Sequence, residues 1–447
     1  MHEKDKPATH HPCATDAARS NMLAPASTRG HLLRLACVLF ALFIATIAVP
    51  AAQAKEDMQL ERVVLLYRHG VRTPLPGEIQ LDEVTGKPWP AWPQPPSELT
   101  PHGAAGARLM GAYDRQRLAS AGLFPAKGCP SASRMVFWAN TDQRTIASAK
   151  ALAGGFAPGC RIEVGHMPQG SEDPLFHPIE AGATDWNAQA SVASILGSTG
   201  DPDALITPHK DALATFAHAM GCGSRHDPNW CGYDHWHGSL AVSPDAKHMT
   251  LTGPIAMTSG TAEAILMAYA EDRPMRDVGW GRIGPAQLEQ LSQLHALLFD
   301  IYAGPDYMAD RVASVMSLRI IHLLDDEHAP QLSVLVGSDN NIVALASVLG
   351  LHFKMPGYAK DDPPIGGALG IELWRNRVDG KRYARVFYQA QSLAQLRSLQ
   401  SVGGRAQPAT TALQPIGCFD DGGMCRVEEL LVLLQRAATH VKATAVR

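Results

Sequence analysis

Apolar positions along the chain fall into a recurring succession of strand, loop and helix. Residues 61–67 form a run dominated by valine and leucine that stops abruptly at Arg68-His69-Gly70, which predicts a strand handing over to a loop. Thr100 and Pro101 offer an N-cap and a first-turn proline, after which Leu109, Met110, Tyr113 and Leu118 recur at helical spacing. A second strand over 134–139 runs into Asn140-Thr141-Asp142, a capping cluster that opens the helix holding Arg144. The same unit returns late in the chain: a strand over 332–336, a loop at Gly337-Ser338-Asp339-Asn340 and a helix over 342–349. Two further strands, 370–374 and 383–389, are joined by a hairpin around Asp379-Gly380.

Strands alternating with helices predict an α/β fold, a mostly parallel sheet sandwiched by helices. Ligands of such sheets gather beyond the carboxyl ends of the strands, where His69, Arg144 and Asp339 would all project. From about 173 to 304 the texture changes to few strand-like runs with many Gly, Pro, Trp and His. Residues 176–304 therefore read as an inserted, mainly helical domain covering the ligand edge, with 55–175 and 305–447 forming the α/β domain. No internal repeat is evident, which excludes a solenoid.

The N-terminus changes the compartment. Arg29, His31 and Arg34 precede an apolar run over 35–49 that ends in Ala52-Gln53-Ala54. That run is short for a membrane span, and its end suits signal peptidase, so 1–54 read as an export signal. The polar residues upstream make Met22 an alternative start, and Arg34 argues against lipid attachment at Cys37. The mature chain is expected to be soluble, to begin near Lys55 and to be periplasmic or secreted, with no membrane association after cleavage.

The full chain has 39 Lys and Arg against 43 Asp and Glu. Loss of the signal deepens the acidic balance, which leaves no electrostatic footprint for nucleic acid. Any anionic ligand must be held by a local cluster of cations. Six cysteines remain in an oxidising compartment, and their order suggests the pairs Cys129 with Cys160, Cys222 with Cys231 and Cys418 with Cys425. A metal site is the rival reading for the middle pair, because His226, His235 and His237 sit close to Cys231.

The chemistry concentrates in Arg68-His69-Gly70-Val71-Arg72-Thr73-Pro74. Two arginines four apart can flank one anion, their planar forks suiting phosphate oxygens. Between them, His69 can attack phosphorus through a neutral ring nitrogen. Gly70 is expected to let the backbone turn sharply and to remove bulk beside the nucleophile. Arg144, in the first turn of a helix, adds a cation where backbone amides already favour an anion. Asp339 is the candidate acid: a carboxyl group beside bound phosphate has its pKa raised by like charge and can protonate a departing alkoxide.

Arg68 to Pro74 resembles the R-H-G-x-R-x-P signature of the histidine acid phosphatases, the branch that contains bacterial periplasmic phytases and glucose-1-phosphatases. The likeness continues through Leu99 to Gly103, Asp142 to Thr145, Asp173 to Phe176, Gly279 to Ile283, Pro363 to Gly367 and the terminal cysteine pair. The resemblance implies a phosphomonoesterase with His69 as nucleophile, Arg68, Arg72 and Arg144 holding the phosphate and Asp339 as general acid. It implies no metal and no cofactor, and a small-molecule phosphate ester as the partner.

One departure stands out. The family's His-Asp pair is Ser338-Asp339 here, and Ser338 offers the phosphate at most a neutral hydroxyl. That puts rate and pH optimum at stake and leaves open a catalytically weakened phosphate-ester binding protein. Leu75, Pro76 and Gly77 stand where the phytases resembled carry a basic residue, which favours a sugar phosphate or broad specificity over inositol phosphates. A mutase-like transferase shares the R-H-G nucleophile, but export and paired cysteines speak against it.

Overall fold

In the computed structural model of the chain, residues 57–78, 87–222, 231–232, 236–403, 406–418 and 423–443 are described. The expected signal over 1–54, the alternative start at Met22, and His226 and His235 lie outside them. Residues Met58–Arg447 form one compact unit.

The chain enters on β1 (Met58–Arg68), whose residues from Arg62 onward are buried on both faces. That explains its continuous apolar run, since a strand covered on both sides has no polar alternation to show. Helix α1 (Pro101–Ser120) follows, capped as expected by the Thr100 side chain, which accepts from the Gly103 amide. Then come β2 (Met135–Ala139), α2 (Gln143–Phe156) and the short β3 (Val164–Gly165). The next stretch carries α3 (Ala188–Thr199), α4 (Lys210–Met220), a two-stranded hairpin of β4 (Ser239–Val242) and β5 (Met249–Thr252), α5 (Pro254–Ala270) and α6 (Pro285–Ala296). The C-terminal part comprises α7 (Ser314–Asp325), β6 (Leu332–Gly337), α8 (Asp339–Val348), β7 (Ala368–Asn376), β8 (Arg382–Ala390), β9 (Ala409–Leu413), β10 (Cys425–Arg426) and α9 (Val427–Ala438).

The main sheet has the order β10-β8-β7-β1-β6-β2-β3, with β9 also paired to β8. Neighbours β1, β6, β2 and β3 are parallel, and β7 joins β1 antiparallel. Hairpin β7–β8 turns where expected, with Gly380 at φ 72°. Apolar residues of α7, α8 and α9 cover one face of the sheet, packing on Val64, Leu66 and Ile371. Those of α1 and α2 cover the other, against Val63, Leu65 and Val334. A separate core joins α4, α5 and α6 to Val71, Tyr358 and Ile365.

All three expected disulfides are present: Cys129–Cys160, Cys222–Cys231 and Cys418–Cys425. Cys222 and Cys231 are bonded to each other, so neither thiol is available to a metal. Among the described residues, no helix is long and apolar enough to cross a membrane.

Candidate active site

The ends of β1 and β6 are locked side by side, and this places the motif. The His69 amide donates to the Gly337 carbonyl at 3.1 Å, and the Gly366 amide, from the loop before β7, donates to the His69 carbonyl at 3.0 Å. Gly70 donates its amide to Ser148 Oγ on α2 at 2.9 Å. Its φ is not positive, and what its surroundings use is the lack of bulk expected there. A side chain there would be crowded: a Cβ would sit 3.0 Å from the Gly103 carbonyl oxygen and 3.1 Å from Leu99 Cδ1. Gly103 is tighter still, its added Cβ meeting the Val71 carbonyl oxygen at 2.2 Å, so the first turn of α1 rests directly on the motif backbone.

His69 is 2% exposed, and its Nδ1 lies 3.0 Å from the Gly70 carbonyl oxygen. A carbonyl can only accept, so Nδ1 carries the hydrogen and Nε2 keeps its lone pair. Burial, then the positive charges of Arg144, Arg72 and Arg68, hold the ring's pKa well below the ordinary histidine value. Both effects favour the neutral imidazole.

Each arginine is oriented by a carboxylate. Arg68 donates through Nη1 to the Pro363 carbonyl at 2.6 Å and through Nη2 to Glu263, and the same Nη2 lies 2.9 Å from Asp339 Oδ2. Burial opposes its charge, but Glu263 and Asp339 more than restore it. Arg72 grips Glu78 with both nitrogens, Nη1 to Oε2 at 2.8 Å and Nη2 to Oε1 at 2.7 Å. Arg144 Nη2 lies 2.9 Å from Asp142 Oδ2. Asp142 is the N-cap of α2 by position, yet its side chain makes no cap hydrogen bond and serves Arg144 instead.

The site's other half begins three residues earlier than the sequence suggests. Helix α8 starts at Asp339 with Ser338 as its N-cap, so the Asp339 carboxyl lies in the first helical turn. Asp339 Oδ1 accepts from the Asn340 amide at 2.9 Å. Burial pushes its pKa up, but Arg68 and then His295 outweigh burial and hold the carboxyl well below the usual range. Without a phosphate beside it, Asp339 is thus held towards the carboxylate form. The Ser338 hydroxyl donates to Asn341 Oδ1 at 3.1 Å, a contact within the helix start. Asn341 in turn donates to the Phe176 carbonyl at 2.8 Å, which ties α8 to the Asp173 to Phe176 segment.

Four site residues escaped the sequence reading: Glu78, Glu263, His295 and Asp362. Glu263 is fully buried on α5 between Ala262 and Ala264, and His295 is buried on α6 beside Leu294. A charged or titratable residue inside an apolar helical run was the available signal, because such a residue is rarely buried without a partner.

Comparison with known proteins places this arrangement. The profile of the histidine phosphatase superfamily (branch 2) matches residues 59–222. The phytase AppA of Escherichia coli (strain K12) is 31% identical over 416 residues, covering 86% of this chain and 94% of the relative. The chain belongs to the histidine phosphatase superfamily, branch 2. A glucose-1-phosphatase of Providencia rettgeri is 28% identical over 413 residues, covering 91% of this chain and 98% of that protein. Among solved structures, Hafnia alvei phytase in complex with tartrate superposes with a TM-score of 0.79 at 29% identity, covering 87% of this chain and 98% of that one. This branch 2 member is an enzyme, a phosphoric monoester hydrolase.

Proposed function

We propose that His69 is the nucleophile of an acid phosphomonoesterase, that Arg68, Arg72 and Arg144 hold the transferring phosphoryl group and that Asp339 protonates the departing alcohol. The observation that carries this reading is the buried imidazole of His69, its Nδ1 turned to the Gly70 carbonyl and Arg144, Arg72 and Arg68 disfavouring its charge. Nε2 attacks phosphorus, the ester P–O bond breaks and a phosphohistidine forms; water then cleaves the P–N bond with Asp339 as base. Guanidinium forks around the equatorial oxygens stabilise the loose transition state. Ser338 is a weaker candidate for phosphate contact than its position suggests, since its hydroxyl is engaged by Asn341.

For substrate, a sugar phosphate or a broad range of monoesters is favoured. Glu78 supports this: its carboxylate sits on Arg72, where a polyanion would meet a negative charge. Phytate is the second reading, supported by the likeness to the Escherichia coli and Hafnia alvei phytases. Residues 176–304 are proposed as a cap over the pocket, to which Glu263 and His295 belong. Export to the periplasm or medium fits the three disulfides.

The test is a panel of phosphate esters including glucose 1-phosphate and phytate, assayed from acid to neutral pH. Turnover of monoesters with glucose 1-phosphate preferred is expected. Inactivity across the panel with retained phosphate binding would replace this reading by a binding protein.

A further inference from the structure

A general acid must carry a proton, yet Asp339 is held ionised by Arg68 at 2.9 Å. A proton stands close by. His295 Nε2 lies 3.8 Å from Asp339 Oδ2, on the same oxygen that Arg68 touches. Its other nitrogen, Nδ1, is 2.8 Å from Asp362 Oδ1 and 3.7 Å from Glu263 Oε2. Asp362 is itself fixed by the Ser292 hydroxyl, and the ring of Phe299 stands edge-on to the imidazole at 4.9 Å. Facing carboxylates, Nδ1 must present N–H, so the orientation of the ring aims Nε2 at the acid.

We propose, resting on the reading of Asp339 as acid, that His295 is a positioning residue that stores the proton Asp339 delivers to the leaving alcohol and recovers it in the second step. His295 faces Glu263 from α5, Asp362 from the loop before β7, Asp339 from α8 and Arg68 from β1. Burial and Arg68 work against its charge, but Glu263 and Asp362 prevail and push its pKa up to about 9. It is therefore an imidazolium throughout the acid and neutral range.

The protons balance. A phosphate dianion beside Asp339 raises that carboxylate's proton affinity, and the Nε2 proton moves to Oδ2, directly after a small closure or through one water. As the His69 Nε2–P bond forms and the ester P–O bond breaks, Oδ2 gives this proton to the alkoxide, which leaves as the alcohol. His295 is then neutral, with its Nδ1 hydrogen still on Asp362. In the second step water adds its oxygen to phosphorus, the P–N electrons return to His69, and the released proton passes through Asp339 to His295 Nε2. With a charged donor on α6 beside Asp339, the acid has a source for its proton that does not depend on residue 338.

Leaving-group chemistry tests this. Glycerol 2-phosphate releases an alkoxide that must be protonated, whereas p-nitrophenyl phosphate releases a stable phenolate. In wild type, Asp339→Asn and His295→Asn, kcat/KM is measured on both esters across pH. Expected is a fall of at least about 10-fold in the alkyl-to-aryl ratio for both variants. The alkaline limb of the alkyl profile should also move to lower pH in His295→Asn, since Asp339 must then draw its proton from solvent. A partly unfolded variant loses both esters equally, so the ratio does not depend on the folded fraction. If Asp339→Asn leaves the ratio unchanged, the acid assignment fails and this inference with it. If Asp339→Asn lowers the ratio while His295→Asn reduces both esters alike with an unmoved limb, His295 only packs and the inference alone is overturned. Should His295→Asn prove insoluble, Asp362→Asn probes the same proton from its other side, and an unmoved alkaline limb there counts equally against it.

Discussion

Tyr67 and Arg68 are neighbours at the end of β1, yet they enter two buried polar groups built on opposite principles. The Tyr67 hydroxyl donates to Asp114 Oδ2 at 2.6 Å, and Gln389 Nε2 donates to both Asp114 Oδ1 at 2.9 Å and the Tyr67 oxygen at 2.8 Å. The nearest cation, Arg117 Nη2, is 3.9 Å away. Burial there raises the Asp114 pKa. One residue on, Arg68 holds two carboxylates and the Asp339 pKa is driven the other way. The Asp114 group closes on itself through neutral donors and fastens α1 to the sheet. The Arg68 group concentrates opposite charges around a histidine kept neutral, which stabilises little by itself but prepares a place for an anion.

The largest test of that contrast is activity. His69→Ala should lower kcat/KM by at least roughly 10⁴-fold, as removal of a nucleophile does, while Asp114→Asn should leave it within about 2-fold. Steady-state kinetics on p-nitrophenyl phosphate decide it. A large loss in Asp114→Asn would mean that the two groups act as one.

Stability gives the next test. Glu263→Gln leaves the buried Arg68 guanidinium with a weaker partner and should destabilise by about 3–5 kcal/mol in urea unfolding. Asp114→Asn keeps the shape but puts an NH2 where one oxygen accepts from Tyr67 or Gln389, so its expected cost is smaller, about 1–3 kcal/mol. Equal costs would erase the distinction between the two sides of the strand.

A pH series sharpens the comparison further. The folded pKa of His295, about 9, lies above the ordinary value of 6.5. A raised value means that the folded state binds the proton more tightly, so the contribution is fully present below about pH 6.5 and is lost as pH rises through about 9. The stability gap between wild type and His295→Asn should therefore be wider at pH 6 than at pH 9.5 by on the order of 3 kcal/mol. A gap that is flat across this window would place the charge of His295 elsewhere.

Half of the Arg68 group was legible in the sequence, and the reason lies in separation along the chain. Arg68, His69, Arg72 and Arg144 follow apolar runs whose period and abrupt ends predict β1, β2 and the helix after β2. Asp339 was found on the same logic, although Ser338-Asp339-Asn340-Asn341 hid the start of α8, because four polar residues in a row carry no helical period. Glu263 meets Arg68 across 195 residues, and His295 meets Asp362 across 67. No local pattern encodes such contacts, and both residues sit on the helices of 176–304, where apolar positions surround them and periodicity reports only that the helix is buried.

The smallest expected effect concerns Ser338. Replacing it by histidine restores the family's cationic donor, and a hydrogen bond from a charged group to phosphate contributes about 1.5–3 kcal/mol. Two features of the site oppose that gain. Ser338 starts α8, its hydroxyl and its amide both donating to Asn341 Oδ1, and losing an N-cap serine costs roughly 0.5–2 kcal/mol. Moreover, Asp339 already faces Arg68 and His295, and a further cation would make its carboxylate still harder to protonate. Tighter ground-state binding then comes with slower proton delivery, so KM should fall while kcat on an alkyl ester holds or drops. The net change in kcat/KM should stay below about 10-fold, and on p-nitrophenyl phosphate, which needs no acid, the gain should be the larger one. Kinetics of Ser338→His on both esters measure this balance. A kcat on the alkyl ester that rises more than about 10-fold would show that the acid had lacked a donor all along, and that His295 does not supply one.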